Sequence, residues 1–133
     1  MLHEPTAGPL RVLVVDDDEP LRDAMARTLT RAGYLVTAAS SGADALESGV
    51  ATRPDAAVID VFLRDAGGLG VARALRRELV DVPVLFITGL SLPAVREALA
   101  PAPVLFKPFT RRQLVASLRS LTPAGLKLRE AAN

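Results

Sequence analysis

The sequence predicts a doubly wound α/β fold, in which a five-stranded parallel sheet is covered on both faces by helices. Short apolar runs rich in β-branched residues alternate with helical patterns five times along the chain. The clearest of these runs are apolar at consecutive positions, which is typical of strands buried on both faces of a parallel sheet. The 133 residues suffice for one domain with a sizeable core. We therefore expect a single domain with right-handed crossovers between its strands.

The predicted strands are short apolar segments, each bounded by polar residues, glycine or proline. Proline precedes the fourth and fifth strands and excludes helix at those points. The five predicted strands are Arg11–Val15, Leu35–Ala39, Ala56–Ile59, Val84–Ile87 and Val104–Phe106.

The predicted helices are recognised by apolar stripes and by their end signals. The first begins near Pro20 and ends at Gly33, with Leu21, Met25 and Leu29 on one face. Ser41 and Gly42 start the second helix, which continues through Ala51. The loop at residues 67–70 leads into the third, whose inner face carries Leu69, Ala72, Leu75 and Leu79.

The last two helices differ in length. The fourth opens at Ser91 or Pro93, and Pro101 and Pro103 close it after about two turns. The fifth, Arg111–Leu121, turns Leu114, Leu118 and Leu121 inward. We expect a flexible leader over residues 1–9, a folded domain over 10–122 and a tail over 123–133.

Composition excludes several classes of function. The formal net charge is +1, so bulk electrostatics favours neither nucleic-acid nor membrane binding. The chain contains no cysteine, which excludes disulfides, thiol catalysis and cysteine-based zinc sites. Its beginning does not resemble a secretory signal, and the longest apolar run, Val82–Leu90, is too short to span a bilayer. We expect a cytoplasmic protein.

Acidic, hydroxyl and basic side chains lie where four of the predicted strands end. Asp16 and Asp17 follow the first strand, Asp60 the third, Thr88 the fourth and Lys107 the fifth. Because the carboxyl ends of parallel strands meet at one edge of a sheet, we expect these side chains to converge on one crevice. Aspartate can instead cap a helix, but Asp18 or Glu19 would do so more locally for the first helix. Thr88 and Lys107 taken singly are an ordinary strand residue and a surface charge.

The chemistry of this set predicts phosphoryl transfer. Crowded carboxylates repel one another unless a hard cation lies among them, and Mg²⁺ accepts carboxylates together with water and phosphate oxygens. The hydroxyl of Thr88 and the ammonium of Lys107 suit an anion at the same place. A carboxylate beside Mg²⁺ can attack a phosphoryl group in line and hold it as an acyl phosphate, the role predicted for Asp60.

These motifs together resemble the receiver domain of two-component response regulators, over residues 10–122. The matching segments are Val14-Val15-Asp16-Asp17, Asp60, Thr88 and Lys107-Pro108-Phe109. The resemblance implies a flavodoxin-like fold and a self-phosphorylating and self-dephosphorylating switch rather than a turnover enzyme. It implies that Asp60 is the phosphoacceptor from a histidine kinase or a histidine phosphotransfer protein. The Mg²⁺ ligands it implies are Asp16, Asp17, Asp60 and the backbone carbonyl of Phe62, and the residues contacting the phosphoryl group are Thr88 and Lys107.

By the same resemblance, the domain either binds a downstream protein or passes the phosphate on. It can be monomeric or form a homodimer upon phosphorylation. The sequence also departs from the family pattern at several positions. Val104 replaces the usual aromatic residue three positions before Lys107, so an aromatic rotamer cannot report activation there. Phe62 and Leu90 are apolar where the family tunes hydrolysis of the acyl phosphate, which predicts slow self-dephosphorylation. Arg64 and the segment 65–68 replace the usual loop after the phosphoacceptor, with no expected effect on the chemistry.

Three alternatives stay open at the level of sequence. The chain can be the receiver portion of a longer transcriptional regulator, since residues 123–133 suit either an end or a linker. It can be an interaction module that works without phosphorylation, although the intact residue set argues against this. A phosphatase of the haloacid dehalogenase type also forms an aspartyl phosphate, but it needs a second Asp where this chain has Phe62.

Overall fold

The computed structural model describes residues 8–121, and in that range strands and helices alternate five times. The strands are β1 Arg11–Val15, β2 Leu35–Ala39, β3 Ala56–Asp60, β4 Val84–Thr88 and β5 Val104–Phe106. The helices are α1 Glu19–Arg31, α2 Gly42–Thr52, α3 Gly68–Glu78, α4 Pro93–Leu99 and α5 Arg111–Leu121. Every predicted element is present. The expectations for a leader and a tail fall almost entirely on residues 1–7 and 122–133, outside the described residues.

The strands form one parallel sheet in the order β2-β1-β3-β4-β5, as predicted for a flavodoxin-like fold. The chain therefore winds first to one side of β1 and then to the other. This reversal opens a crevice between the carboxyl ends of β1 and β3, where ligands of such sheets bind. β3 and β4 each run one residue further than predicted, so that Asp60 and Thr88 are the last residues of their strands.

Helices cover both faces of the sheet, and the sheet separates the core into two apolar layers. α1 and α5 pack on one face through buried residues such as Met25, Leu29 and Leu114. α2, α3 and α4 pack on the other face, where Leu75 of α3 is completely buried. β3 and β4 are buried along their whole length, which accounts for their continuous apolar sequence.

Local signals explain where several helices begin. The Oγ atom of Ser41 accepts a hydrogen bond from the amide of Asp44 at 3.1 Å and caps α2. Thr110 and Gln113 cap α5 reciprocally, each side chain accepting a bond from the other's amide, at 3.1 and 2.8 Å. Asp18 occupies the N-cap position of α1, but its side chain makes no capping bond. The side-chain cap expected near the start of α1 is therefore wrong. Pro20, the other predicted start signal, does lie in the first turn of the helix.

α4 is the shortest helix of the described range and is shallowly packed. It ends at Leu99, its one buried residue, and Pro101 and Pro103 follow as predicted. Within residues 8–121, none of the helices combines the length and the apolar character needed to cross a bilayer.

Candidate functional site

Three carboxylates meet at the carboxyl edge of the sheet. Asp16 and Asp17 follow β1, and Asp60 ends the neighbouring strand β3. One oxygen from each lies within 4.8 Å of the others. Asp16 is fully buried and Asp60 is 5% exposed, whereas Asp17 is only partly buried. The convergence predicted from the strand ends is thus confirmed for these three side chains.

Lys107 brings a positive charge to the buried side of this cluster. Its Nζ atom lies 3.0 Å from Oδ2 of Asp60 and 3.1 Å from Oδ2 of Asp16. The backbone sets this position, because the amide of Lys107 donates to the carbonyl of Thr88 at 2.8 Å and continues the pairing of β5 with β4. Lys107 therefore bridges two of the three carboxylates and is not a solvated surface charge.

Asp16 and Lys107 shift each other's pKa. Burial raises the pKa of Asp16 above its usual range, and the hydrogen bond from the Asp18 amide and the nearby Lys107 only partly offset this. Burial lowers the pKa of Lys107, but its contacts with the negative carboxylates of Asp60 and Asp16 outweigh burial, and the net shift is upward. Lys107 therefore carries its charge throughout the neutral range.

Backbone amides hold the carboxylates in place. Asp16 accepts a hydrogen bond from the amide of Asp18 at 2.9 Å, and Asp60 accepts one from the amide of Phe62 at 3.0 Å. Asp17 accepts one from the amide of Arg64, also at 3.0 Å. Two of these three donors belong to residues 61–67, the β3–α3 loop, which thus contacts both Asp60 and Asp17.

The donor set of the cluster fits a hard divalent cation. Its ligand atoms are carboxylate oxygens, the type that Mg²⁺ prefers. Oδ2 of Asp16 is buried with no hydrogen bond from residues 8–121, and its charge is met by Lys107 alone within that range. The arrangement can hold a cation against the exposed side of the cluster while Lys107 neutralises the buried side.

Thr88 lies at the same edge of the sheet, where its hydroxyl group is bonded to a backbone amide. It is completely buried at the end of β4, and its hydroxyl oxygen accepts a hydrogen bond from the amide of Leu90 at 3.1 Å. Phe62 and Leu90 are 57% and 44% exposed on the same edge of the molecule. The structure thus brings Asp16, Asp17, Asp60 and Lys107 into contact, with Thr88 on the adjacent strand.

Sequence reasoning missed three contacts around the site. Nη1 of Arg22 donates to the carbonyl of Asp16 at 3.0 Å, and the Arg96 guanidinium lies 4.9 Å from the centre of the Phe106 ring. Asp65 accepts hydrogen bonds from two amides at the start of α2. The Arg22 contact spans six residues, but the Asp65 contacts span more than 20 positions of sequence, so no local pattern could have indicated them.

Comparison with known proteins identifies the family. A family model described as the response regulator receiver domain matches residues 12–119. The chain belongs to this family. Among curated proteins, the receiver is 40% identical over 116 residues to the response regulator MprA of Mycolicibacterium vanbaalenii. It is also 40% identical over 115 residues to MprA of Mycobacterium ulcerans. These matches cover 85% and 84% of this chain but 50% of each relative.

Solved structures agree on the fold. The receiver superposes on chemotaxis protein CheY4 of Vibrio cholerae with a TM-score of 0.80 and 28% identity, covering 86% of this chain and all of that one. The receiver domain of a putative NarL from Mycobacterium tuberculosis gives 0.73 and 33% identity, covering 84% and 94%. The chain spans about half the length of the curated relatives that it matches. The family match and the shared fold together make this chain a receiver domain of the two-component type, which is a signalling switch.

Proposed function

We propose that Asp60 is the phosphoryl acceptor of this receiver. The observation that carries the proposal is the contact of Asp60 with Lys107 at 3.0 Å beside two further carboxylates. A carboxylate oxygen of Asp60 attacks the phosphorus atom of a phosphohistidine, and the P–N bond breaks with its electron pair leaving on the imidazole. The donor is a histidine kinase or a histidine phosphotransfer protein.

Mg²⁺ is the proposed cofactor, held by Asp16, Asp17, Asp60 and the backbone carbonyl of Phe62. When bound, it offsets the charge that the carboxylates and the incoming phosphoryl group share. The cluster of oxygen ligands supports this assignment. The amide of Phe62 already donates to Asp60, which keeps this residue beside the acceptor.

Lys107 and Thr88 are the proposed partners of the bound phosphoryl group. Lys107 supplies a fixed positive charge next to the attacking oxygen, and its raised pKa keeps that charge at neutral pH. Thr88 supplies a hydroxyl donor once its side chain shifts toward the phosphoryl oxygens. The Leu90 amide bonds the same hydroxyl, so this shift alters the β4–α4 loop and carries the signal outward.

The output of the switch is a change in protein binding or the passage of the phosphate along a relay. We propose a cytoplasmic protein with no enzymatic turnover, with residues 10–122 as its receiver and a homodimer that forms upon phosphorylation. A second candidate is that this chain is the receiver portion of a longer transcriptional regulator. The half-length coverage of the MprA relatives favours it. Either way, the chemistry at Asp60 is the same.

The first test is phosphorylation of the protein by acetyl phosphate, followed by intact mass. We expect one added phosphoryl group in the presence of Mg²⁺ and none in a metal-free sample. Asp60→Asn should abolish the uptake, whereas Asp23→Asn, which changes an exposed carboxylate of α1, should not.

Two outcomes contradict the proposal. Uptake that persists in Asp60→Asn would place the acceptor elsewhere. If the protein takes up no phosphate and beryllofluoride also fails to bind at Asp60, the chain is an interaction module that works without phosphorylation.

A further inference from the structure

We propose that Asp65 is the positioning residue of the Mg²⁺ site: by binding the start of α2, it holds the β3–α3 loop against the acidic cluster. The inference rests on the proposed function, and it assigns a role to a residue that belongs to neither the ligands nor the acceptor. It predicts that a contact on the far side of the loop controls the affinity for the metal.

Asp65 uses both carboxylate oxygens on consecutive amides of one helix terminus. Oδ1 accepts from the amide of Gly42 at 2.9 Å, and Oδ2 accepts from the amide of Ala43 at 3.2 Å. The first amides of a helix have no partner within the helix, and the positive end of its dipole favours a carboxylate. The same two bonds lower the pKa of Asp65, so the side chain is ionised at neutral pH.

Tight packing accompanies these bonds. A methyl group at Gly42 would lie 2.9 Å from Cβ of Ala66 and 3.0 Å from Cγ2 of Val71. The loop and the start of α3 therefore rest directly on the backbone of α2, with no room for a side chain between them. Asp65 and Ala66 fix the outer part of the loop on α2.

The inner part of the same loop contacts the site. The amide of Arg64, which directly precedes Asp65, donates to Asp17 at 3.0 Å, and the amide of Phe62 donates to Asp60 at 3.0 Å. Phe62 also forms an isolated bridge with Gly67, which closes the loop on itself. With so few residues between the anchor and these amides, loss of the Asp65 bonds would let Arg64 and Phe62 move away from the carboxylates.

A plain helix cap and a positioning residue make different predictions. If Asp65 only caps α2, its loss lowers stability and leaves the metal site unchanged. If it positions the loop, its loss also weakens Mg²⁺ binding in protein that is still folded. Ser41 offers the matched comparison. It caps the same helix terminus by accepting a hydrogen bond from the Asp44 amide, but it directly precedes α2 in the chain and is not part of the β3–α3 loop.

The experiment compares the wild type with Asp65→Ala, Asp65→Asn and Ser41→Ala in the full chain. Mg²⁺ affinity is measured by calorimetric titration, and amide hydrogen exchange of residues 61–67 is measured in metal-free buffer. In Asp65→Ala we expect faster loop exchange and Mg²⁺ binding weakened roughly tenfold or more, as for other groups that support metal ligands. Asp65→Asn keeps one acceptor and should lie in between. Ser41→Ala should lower the melting temperature but leave both readouts as in the wild type.

The outcomes separate this inference from the proposed function. If the wild type does not bind Mg²⁺, the proposed function fails first, and the role of Asp65 fails with it. If the wild type binds and Asp65→Ala binds equally well, only the positioning role is overturned. The role is also overturned if Ser41→Ala weakens Mg²⁺ binding as much as Asp65→Ala does. If Asp65→Ala does not fold, the comparison of Asp65→Asn with Ser41→Ala decides the question in the same way.

Discussion

Lys107 and the three aspartates show which residue-level features a sequence can predict. Their meeting follows from topology alone, since the ends of neighbouring parallel strands share one edge. Details that depend on hydroxyl and amide directions do not follow from it. Thr88 is where the pattern predicts, but its hydroxyl is bonded by the Leu90 amide. Asp18 occupies the cap position, but its side chain makes no capping bond, and its amide donates to Asp16.

The apolar residues Phe62 and Leu90 lead to a prediction about the lifetime of the phosphorylated state. Both side chains are exposed at the carboxyl edge of the sheet, and neither can hydrogen-bond a water molecule that attacks the acyl phosphate. We expect Phe62→Asn to speed self-dephosphorylation about tenfold, the effect of one hydrogen bond of about 1.4 kcal/mol on the barrier. The measurement is the decay of phosphorylated mass after removal of the phosphate donor.

The control for this prediction is Leu92→Asn, which changes an apolar residue of similar exposure in the loop before α4. Its decay should match that of the wild type. A wild-type lifetime of seconds would contradict the slow self-dephosphorylation predicted from Phe62 and Leu90, as would an unchanged rate in Phe62→Asn.

At the scale of elements, the first residues of α3 show how backbone approach limits the sequence. Gly67 precedes this helix and Gly68 begins it. A methyl group at Gly68 would clash with the carbonyl oxygen of Asp60 and lie 2.9 Å from Cα of Val61. At Gly67, no atom of the described residues beyond its chain neighbours lies within 4 Å of that position. Two adjacent glycines therefore have different roles, which the sequence alone does not distinguish.

We expect Gly68→Ala to lower the free energy of unfolding by roughly 1–3 kcal/mol, because backbone cannot move aside as a flexible side chain can. Gly67→Ala should change it by no more than about 1 kcal/mol, the cost of a less favoured cap residue. Urea denaturation of both variants measures the difference. Equal losses at the two positions would show that the approach of Gly68 to β3 is not what requires glycine.

The contact between the β3–α3 loop and α2 predicts a pH dependence of stability. Hydrogen bonds from the Gly42 and Ala43 amides lower the pKa of Asp65 from its ordinary value of 3.8. A lowered pKa in the folded state adds stability above the unfolded value, and that stability is lost as the pH falls through the folded value. Asp65→Asn cannot ionise, so its deficit in unfolding free energy should be largest at neutral pH and shrink below pH 3.8.

Denaturant unfolding of both proteins across this range measures the deficit. Ser41→Ala removes a cap at the same helix terminus without removing a titratable group, so its deficit should not vary with pH in this way. A deficit of Asp65→Asn that is constant with pH would show that the charge of Asp65 does not contribute.

At the scale of the whole molecule, periodicity predicted the elements, and the family resemblance predicted the flavodoxin-like strand order. The sequence was least informative where contacts join distant segments, as between Asp65 and α2. The sequence also did not indicate which contacts form where Val104 replaces the aromatic residue that is usual in the family. Val104 is buried in the sheet, and the aromatic residue of β5 is instead Phe106, which lies under Arg96 of α4. No periodic pattern pairs these two, because the pairing depends on how the short α4 rests on the sheet.

We expect Mg²⁺ to raise the stability of the whole domain through the acidic cluster. The three carboxylates meet only in the folded chain, so a cation that binds them stabilises the folded state by linkage, by about 2.7 kcal/mol at a concentration 100 times its dissociation constant. We expect the melting temperature to rise with added Mg²⁺ and to return to its starting value with a chelator. Asp17→Asn should reduce the rise, because it removes the most exposed carboxylate of the cluster and leaves the contacts of Lys107 with Asp16 and Asp60 intact. Asp23→Asn, on the outer surface of α1, should keep it. Two outcomes would contradict this expectation: a rise of the same size with sodium chloride at matched ionic strength, or a rise of the same size in Asp17→Asn. Either would mean that the gain comes from screening of the molecule's overall charge and not from a site between Asp16, Asp17 and Asp60.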